Sequence, residues 1–209
     1  MYEPEHFKEE RLGVQQALIK AHPFGLLISN GAEGLEANAV PFILDASPAP
    51  LGKLRAHVAR ANSHWKNLQG QKVLVVFQGP QTYISPSHYE TKRETGKVVP
   101  TWNYVMVQVR GVVAVHEDHP WLGKQINALT HQHEWARAEP WAVSDAPTRY
   151  IESQINGIVG VEIAISNIAG KWKVSQNRPE ADRRGVAQGL AHSAPEMAAL
   201  VQRFGGLKD

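Results

Sequence analysis

Short apolar runs follow one another through most of this chain, and glycine or proline stands at nearly every corner between them. FGLLIS (24–29) passes through Asn30-Gly31 into LEANAVPFIL (35–44), which reads as a β-hairpin, and Pro41 inside the second run marks an edge strand or a bulge. ASPAPLG (46–52) reads as a loop, KLRAHVAR (53–60) alternates as a strand should, and KVLVVFQ (72–78) is an apolar run of the buried-strand kind. Gly79-Pro80 then turns the chain into QTYISPSHY. NYVMVQVRGVVAVHE (103–117) predicts a long strand bent at Gly111, and GIVGVEIAIS and IAGKWKVS predict two more. Six or more strands with few helices between them favour an antiparallel barrel over a parallel βαβ sheet. The expected fold class is α+β, mainly β with flanking helices.

Helical spacing is confined to a few segments. EERLGVQQALIKAH (9–22) predicts a short amphipathic helix, and Asn62 is placed to cap another in NSHWKNLQ. Pro120 opens a helix through LGKQINALTHQHEWARA. Asp145-Ala-Pro147 supplies a cap and a helix-starting proline for TRYIESQIN. Two helices close the chain, with Asn177 and Glu180 as a capping-box-like pair and SAPE (193–196) as a clearer one. No repeat or linker interrupts the pattern, so residues 1–209 are expected to form one domain with a helical C-terminal segment from about 177 to 209.

The absence of cysteine excludes disulfides, thiol nucleophiles and thiolate-bound metal centres. A formal charge of +2 implies no strong general affinity for nucleic acid. No apolar run approaches the ~20 residues of a membrane span, and the N-terminus lacks an apolar leader, so a cytoplasmic location is expected. Neither phosphate-cradling glycine loop is present, and no serine sits in a nucleophile elbow. His116 and His119 form one histidine pair and His131 and His133 another, but the second pair is two residues apart on a predicted helix and faces different ways. Metal binding is not expected.

Three segments carry chemistry. RAHVARANSHW (55–65) sets His57, Arg60 and Asn62 at a strand end entering a helix, a plausible anion site or else a solvated strand end. YISPSHYETKRETGKVVPTWNY (83–104) gathers Tyr83, Tyr89, Trp102 and Tyr104 beside Ser85, Ser87, Thr101 and Asn103. That stretch is either one wall of a core or a surface that holds something flat, and a planar heteroaromatic with imide edges needs both an apolar face and an amide. KWKVSQNRPEADRRGV (171–186) sets Lys171 and Lys173 on one strand face and crowds Ser175, Gln176, Asn177 and Arg178 at a strand-to-helix junction, which suits a phosphate or simply a capped helix start.

Taken together, MYEPEHF, HVARANSHW, YISPSHY, VPTWNY and KWKVSQNR followed by DRRGV resemble the PaiB family of FMN-binding negative transcriptional regulators. The blocks run in the family's order from residue 2 to about residue 190. Two departures stand out: Ser63 at a position where proline is expected, and His88 where tryptophan is commoner. The resemblance implies a split β-barrel of the pyridoxamine-phosphate-oxidase type, a homodimer, and FMN in a cleft between subunits. On that basis the expected FMN-binding residues are His57, Arg60, Asn62, Tyr83, Ser85, Ser87, Trp102, Asn103, Lys171, Gln176 and Arg178, with Arg183 and Arg184 the candidate DNA contacts. Three functions compete: a flavin-binding regulator, an FMN-dependent oxidoreductase acting on a small molecule, and a module that stores or senses flavin or haem. No helix-turn-helix is visible, and His57, His88 and Tyr89 are the acid–base candidates near the expected pocket.

Overall fold

In the computed structural model, residues 24–31 and 34–41 pair as the two strands of the expected hairpin. β2 (Phe24–Gly31) pairs antiparallel with β3 (Gly34–Pro41) from Phe24↔Pro41 to Gly31↔Gly34. The reversal therefore falls after Asn30-Gly31, which end β2 instead of turning the chain, and Gly34 takes the positive φ of 118°. The structure describes residues 1–31, 33–47 and 50–207. Residues 48–49 of the expected 46–52 loop and residues 208–209 of the expected C-terminal segment lie outside these.

The remaining elements are β1 (Lys8–Glu9), α1 (Leu12–Ala21), β4 (Ile43–Asp45), β5 (Lys53–Ala59), β6 (Lys72–Ile84), α2 (Glu90–Thr95), β7 (Thr101–His116), α3 (His119–Glu134), α4 (Thr148–Asn156), β8 (Ile158–Lys173), α5 (Glu180–Leu190) and α6 (Pro195–Gly205). The strands make one eight-stranded sheet in the order β3-β2-β6-β7-β8-β5-β4, with β1 added on β8. β3 stands at an end of that order, where Pro41 is tolerated as the sequence predicts.

Two strands run through places where the sequence predicts turns. Gly79 and Pro80 lie within β6. Pairing with β2 ends at Val76, so beyond it one side of β6 is free of that neighbour and a missing N–H there costs no ladder bond. β8 is likewise one strand of sixteen residues and not two. It pairs with β5 as far as Ala164 and with β1 at Gly170–Lys171, so an exchange of partners occurs where a turn was expected.

The chain divides into two compact units. Unit 1 comprises residues 1–11, 78–107 and 169–209; unit 2 comprises residues 12–77 and 108–168. In unit 2, Leu27, Phe42, Leu54, Val75, Phe77, Leu122 and Val161 are buried, and Phe42 meets Phe77 edge-on at 5.6 Å. There α3 lies against β8: the Trp121 ring covers Gly160 and stacks on His116 at 4.3 Å. In unit 1, Ile84, Tyr89, Val105, Trp172, Val186, Leu190, Met197 and Val201 are buried, and α5 packs on α6. Among the described residues no helix is long and apolar enough to cross a membrane.

Candidate functional site

β-strand alternation sets up the unit 1 site. At the start of β7, Trp102 points outward and Asn103 inward. Trp102 meets Tyr83, near the end of β6, in an edge-to-face pair with centroids 6.2 Å apart. Both rings are about half exposed, at 54% and 49%, so they form a surface and not a core wall. Asn103 is buried and its Nδ2 donates to Ser175 Oγ at 2.9 Å. Ser175 sits just beyond β8 with φ 68°, the one non-glycine residue at positive φ among those described.

Cations collect beside these aromatics. Lys173 Nζ donates to Thr101 Oγ1 at 2.6 Å and to the Trp102 carbonyl. Lys171 is buried; its Nζ donates to the Tyr2 carbonyl at 2.9 Å and lies over the Tyr2 and Tyr104 rings at 5.3 and 5.4 Å. The Arg178 guanidinium lies 4.7 Å over the Tyr89 ring. Among the described residues no carboxylate comes within ion-pair distance of Lys171, Lys173 or Arg178. Burial, then the charges of Lys171 and Arg178, push the Lys173 amine below the usual lysine range. Burial raises the Tyr89 hydroxyl, with Arg178 opposing it.

Other expected contacts in unit 1 are engaged internally. Gln176 closes its own turn, accepting from the Val174 N–H at 2.8 Å and donating to the Trp172 carbonyl at 2.5 Å. Ser85 Oγ accepts from the Ser87 N–H at 3.2 Å and from the Ser87 hydroxyl at 2.8 Å, capping the 3-10 turn Pro86–His88.

His57, Arg60 and Asn62 belong to unit 2. Arg60 Nη1 donates to Glu117 at 2.5 Å, while Nε and Nη2 donate to the carbonyls of Asn156 (2.9 Å) and Ile158 (3.2 Å). Its guanidinium also lies 5.7 Å over Trp65. Asn62 caps the 3-10 turn Ser63–Asn67 as predicted, accepting from the His64 N–H at 3.1 Å. With its oxygen so used, its Nδ2 donates to Asn38 Oδ1 at 3.0 Å, which leaves Asn38 Nδ2 to donate to His64 Nδ1 at 2.8 Å. His64 is thereby fixed as the Nε2–H tautomer, donating to the buried Ser29 hydroxyl. His57 Nδ1 is buried without a partner, and burial holds its pKa down.

Sequence reasoning missed Ser29, Asn38 and His64, which lie in three separate segments with no shared motif. It placed Thr101 and Ser175 in the segments that carry chemistry without counting them as flavin contacts; in the structure Thr101 accepts from Lys173 and Ser175 from Asn103.

Residues 1–167 match the family described as “Putative FMN-binding domain”. The chain belongs to this family. Lys171, Gln176 and Arg178 lie beyond the matched segment. An uncharacterised protein of Emericella nidulans is 35% identical, with 96% of each chain covered. The protease synthase and sporulation protein PAI 2 of Bacillus subtilis is 28% identical, with 97% of each covered. Among solved structures, the conserved hypothetical protein Rv2991 from Mycobacterium tuberculosis superposes with TM-score 0.59 at 12% identity, covering 86% of this chain and 95% of that one. The fold shared with that structure sets helices about an antiparallel eight-stranded sheet, the mainly β, α+β class expected from the sequence. Flavin is its cofactor. The donor set suits that group: exposed aromatic faces for a planar ring, and cations without carboxylate partners for a phosphate.

Proposed function

We propose that this FMN-binding protein works as a homodimer and acts as a negative transcriptional regulator. The observation that carries the flavin part is the junction of the exposed Tyr83–Trp102 pair with Lys171, Lys173 and Arg178, which have no acidic partner. In this reading the two rings line the isoalloxazine, and Arg178 and the lysines receive the phosphate. Asn103 holds the Ser175 corner, while Ser85, Ser87 and Gln176 keep the surrounding turns in shape. Arg60 and Asn62 order the strand end after His57, because their polar atoms are already bonded. Each charge-assisted phosphate contact contributes roughly 1.5–3 kcal/mol, so Arg178→Ala weakens FMN about tenfold or more. Titration followed by quenching of flavin fluorescence measures this, and wild-type protein that leaves FMN fluorescence unchanged at high micromolar concentration refutes the reading.

The name of the Bacillus relative concerns protease synthesis and sporulation, which supports a regulatory role over a metabolic one. The two arginines expected to meet DNA are engaged, however. Arg184 donates twice to Glu180, at 3.0 and 2.8 Å, and Arg183 reaches the Gln176 carbonyl. Regulation through flavin state or a protein partner therefore fits better than a direct grip by this pair. The oxidoreductase alternative is favoured by one observation, the buried, unpartnered Nδ1 of His57. Flavin-dependent NADPH oxidation without operator binding in an anisotropy titration decides for the enzyme; salt-sensitive binding to the promoter of the protein's own operon without NADPH oxidation decides for the regulator.

A further inference from the structure

We infer that Lys173 is a site of reversible carbamylation, its amine adding to carbon dioxide. The first support is hydrogen-bond arithmetic. Lys173 Nζ has two acceptors, Thr101 Oγ1 and the Trp102 carbonyl. A neutral amine has two N–H groups and one lone pair, so both donors are used and the lone pair is left to attack. The third N–H of an ammonium finds no carboxylate among the described residues.

The second support is the surrounding charge. Lys171 lies two residues earlier on the same strand face, and Arg178 follows at the corner. Positive neighbours disfavour the ammonium and favour an anion on the same nitrogen, the logic by which clustered cations activate lysine nucleophiles. Burial and those two charges lower the Lys173 pKa accordingly. Lys171 makes the contrast. It is 7% exposed and lies over two aromatic rings, which stabilise its charged form, whereas Lys173 lies over one, that of Phe7, and farther off at 5.9 Å. Lys173 is only part-buried, and its contact with the Trp102 carbonyl is exposed, so a three-atom electrophile reaches it.

The step balances without a further reagent. The Nζ lone pair forms a bond to the carbon of CO2, one C=O π pair moves onto oxygen, and a proton leaves to solvent, giving an N-carboxylate. Nothing is oxidised or reduced. The modification turns one of the three cations proposed to receive the flavin phosphate into an anion beside Lys171 and Arg178, so it belongs to the flavin-free protein, on which it is tested.

The test incubates that protein with 13C-bicarbonate near pH 8. Carbamates are trapped by ethylation with triethyloxonium, and the adducts are located by peptide mass spectrometry. The expected result is an ethylated 13C-carbamate on the peptide carrying Lys173 at several times its occupancy on the exposed Lys66 and Lys92, falling severalfold in Arg178→Gln. A Lys173 adduct no more abundant than on those two lysines overturns the proposal, as does an adduct unchanged in Arg178→Gln. Because mapping of the wild type locates the adduct, the outcome does not depend on a Lys173 variant folding. FMN binding, read separately by fluorescence, reports on the flavin reading alone.

Discussion

Ser175 joins two opposed effects in one residue. Its φ of 68° carries the cost of a side chain in the left-handed region, while its hydroxyl is what the buried Asn103 amide bonds to. Ser175→Ala keeps the first cost and orphans the amide, so it destabilises by about 1–3 kcal/mol. Ser175→Gly loses the same bond but relieves the backbone, so its urea midpoint falls less than that of the alanine variant. His57 gives a pH dependence. Its folded pKa is depressed from the ordinary 6.5 by burial, so below that value the unfolded chain binds a proton that the folded one resists. Stability from this group is therefore present above about pH 6.5 and lost as pH falls toward the folded pKa. Thermal melts of His57→Gln from pH 7.5 to 5 are expected to show a flatter acid limb than wild type.

A glycine notch on α5 shapes unit 1 at the level of elements. A Cβ on Gly185 meets the His88 carbonyl oxygen at 2.1 Å, and one on Gly189 meets His88 Nδ1 at 2.1 Å. The two glycines are one turn apart, so α5 receives the Pro86–His88 turn in a groove that only missing side chains provide. Each alanine substitution costs about 1–3 kcal/mol by overpacking. Pairing Gly189→Ala with His88→Ala restores most of the loss, because the obstructing atoms are side chain, whereas His88→Ala leaves the Gly185→Ala clash with backbone in place. Melting temperatures of the single and double variants test that asymmetry. The sequence marked His88 as a departure from its family but not the groove that holds it, because a contact between residues 88 and 189 leaves no local pattern. Capping was misread for a related reason. Neither closing helix has a side-chain cap: α5 follows Pro179 and α6 follows Ala194. Asp145 bonds the Ala142 N–H instead of the helix after it. Alternating apolar runs reported the strands faithfully, since period-two burial is written along the chain. Where one strand continues past a glycine-proline pair, or changes partners midway, local residues say turn and the sheet overrides them.

For the whole molecule, the testable quantity is mass in solution. The proposed homodimer is expected to cover the half-exposed Tyr83–Trp102 pair of unit 1. Light scattering is expected to return about twice the 23.1 kDa chain mass, and a monomer mass at all concentrations contradicts the dimer. The fold class was legible because most of the sheet is built from alternating runs. In the candidate site the sequence singles out aromatics and cations that the structure brings together in unit 1, while the acceptors that tie the lysines down come from other segments of the chain.

β6, β7 and β8 each begin in one compact unit and end in the other. Unit 1 is thus spelled by three separate stretches of sequence and unit 2 by two. No single cut in the gene releases either one whole. A fragment ending at residue 167, where the family match stops, lacks every residue that β8, α5 and α6 give to unit 1. Recombination that exchanges one stretch with a relative must therefore carry matching strand halves with it, so the two units inherit changes jointly and cannot be shuffled as independent modules.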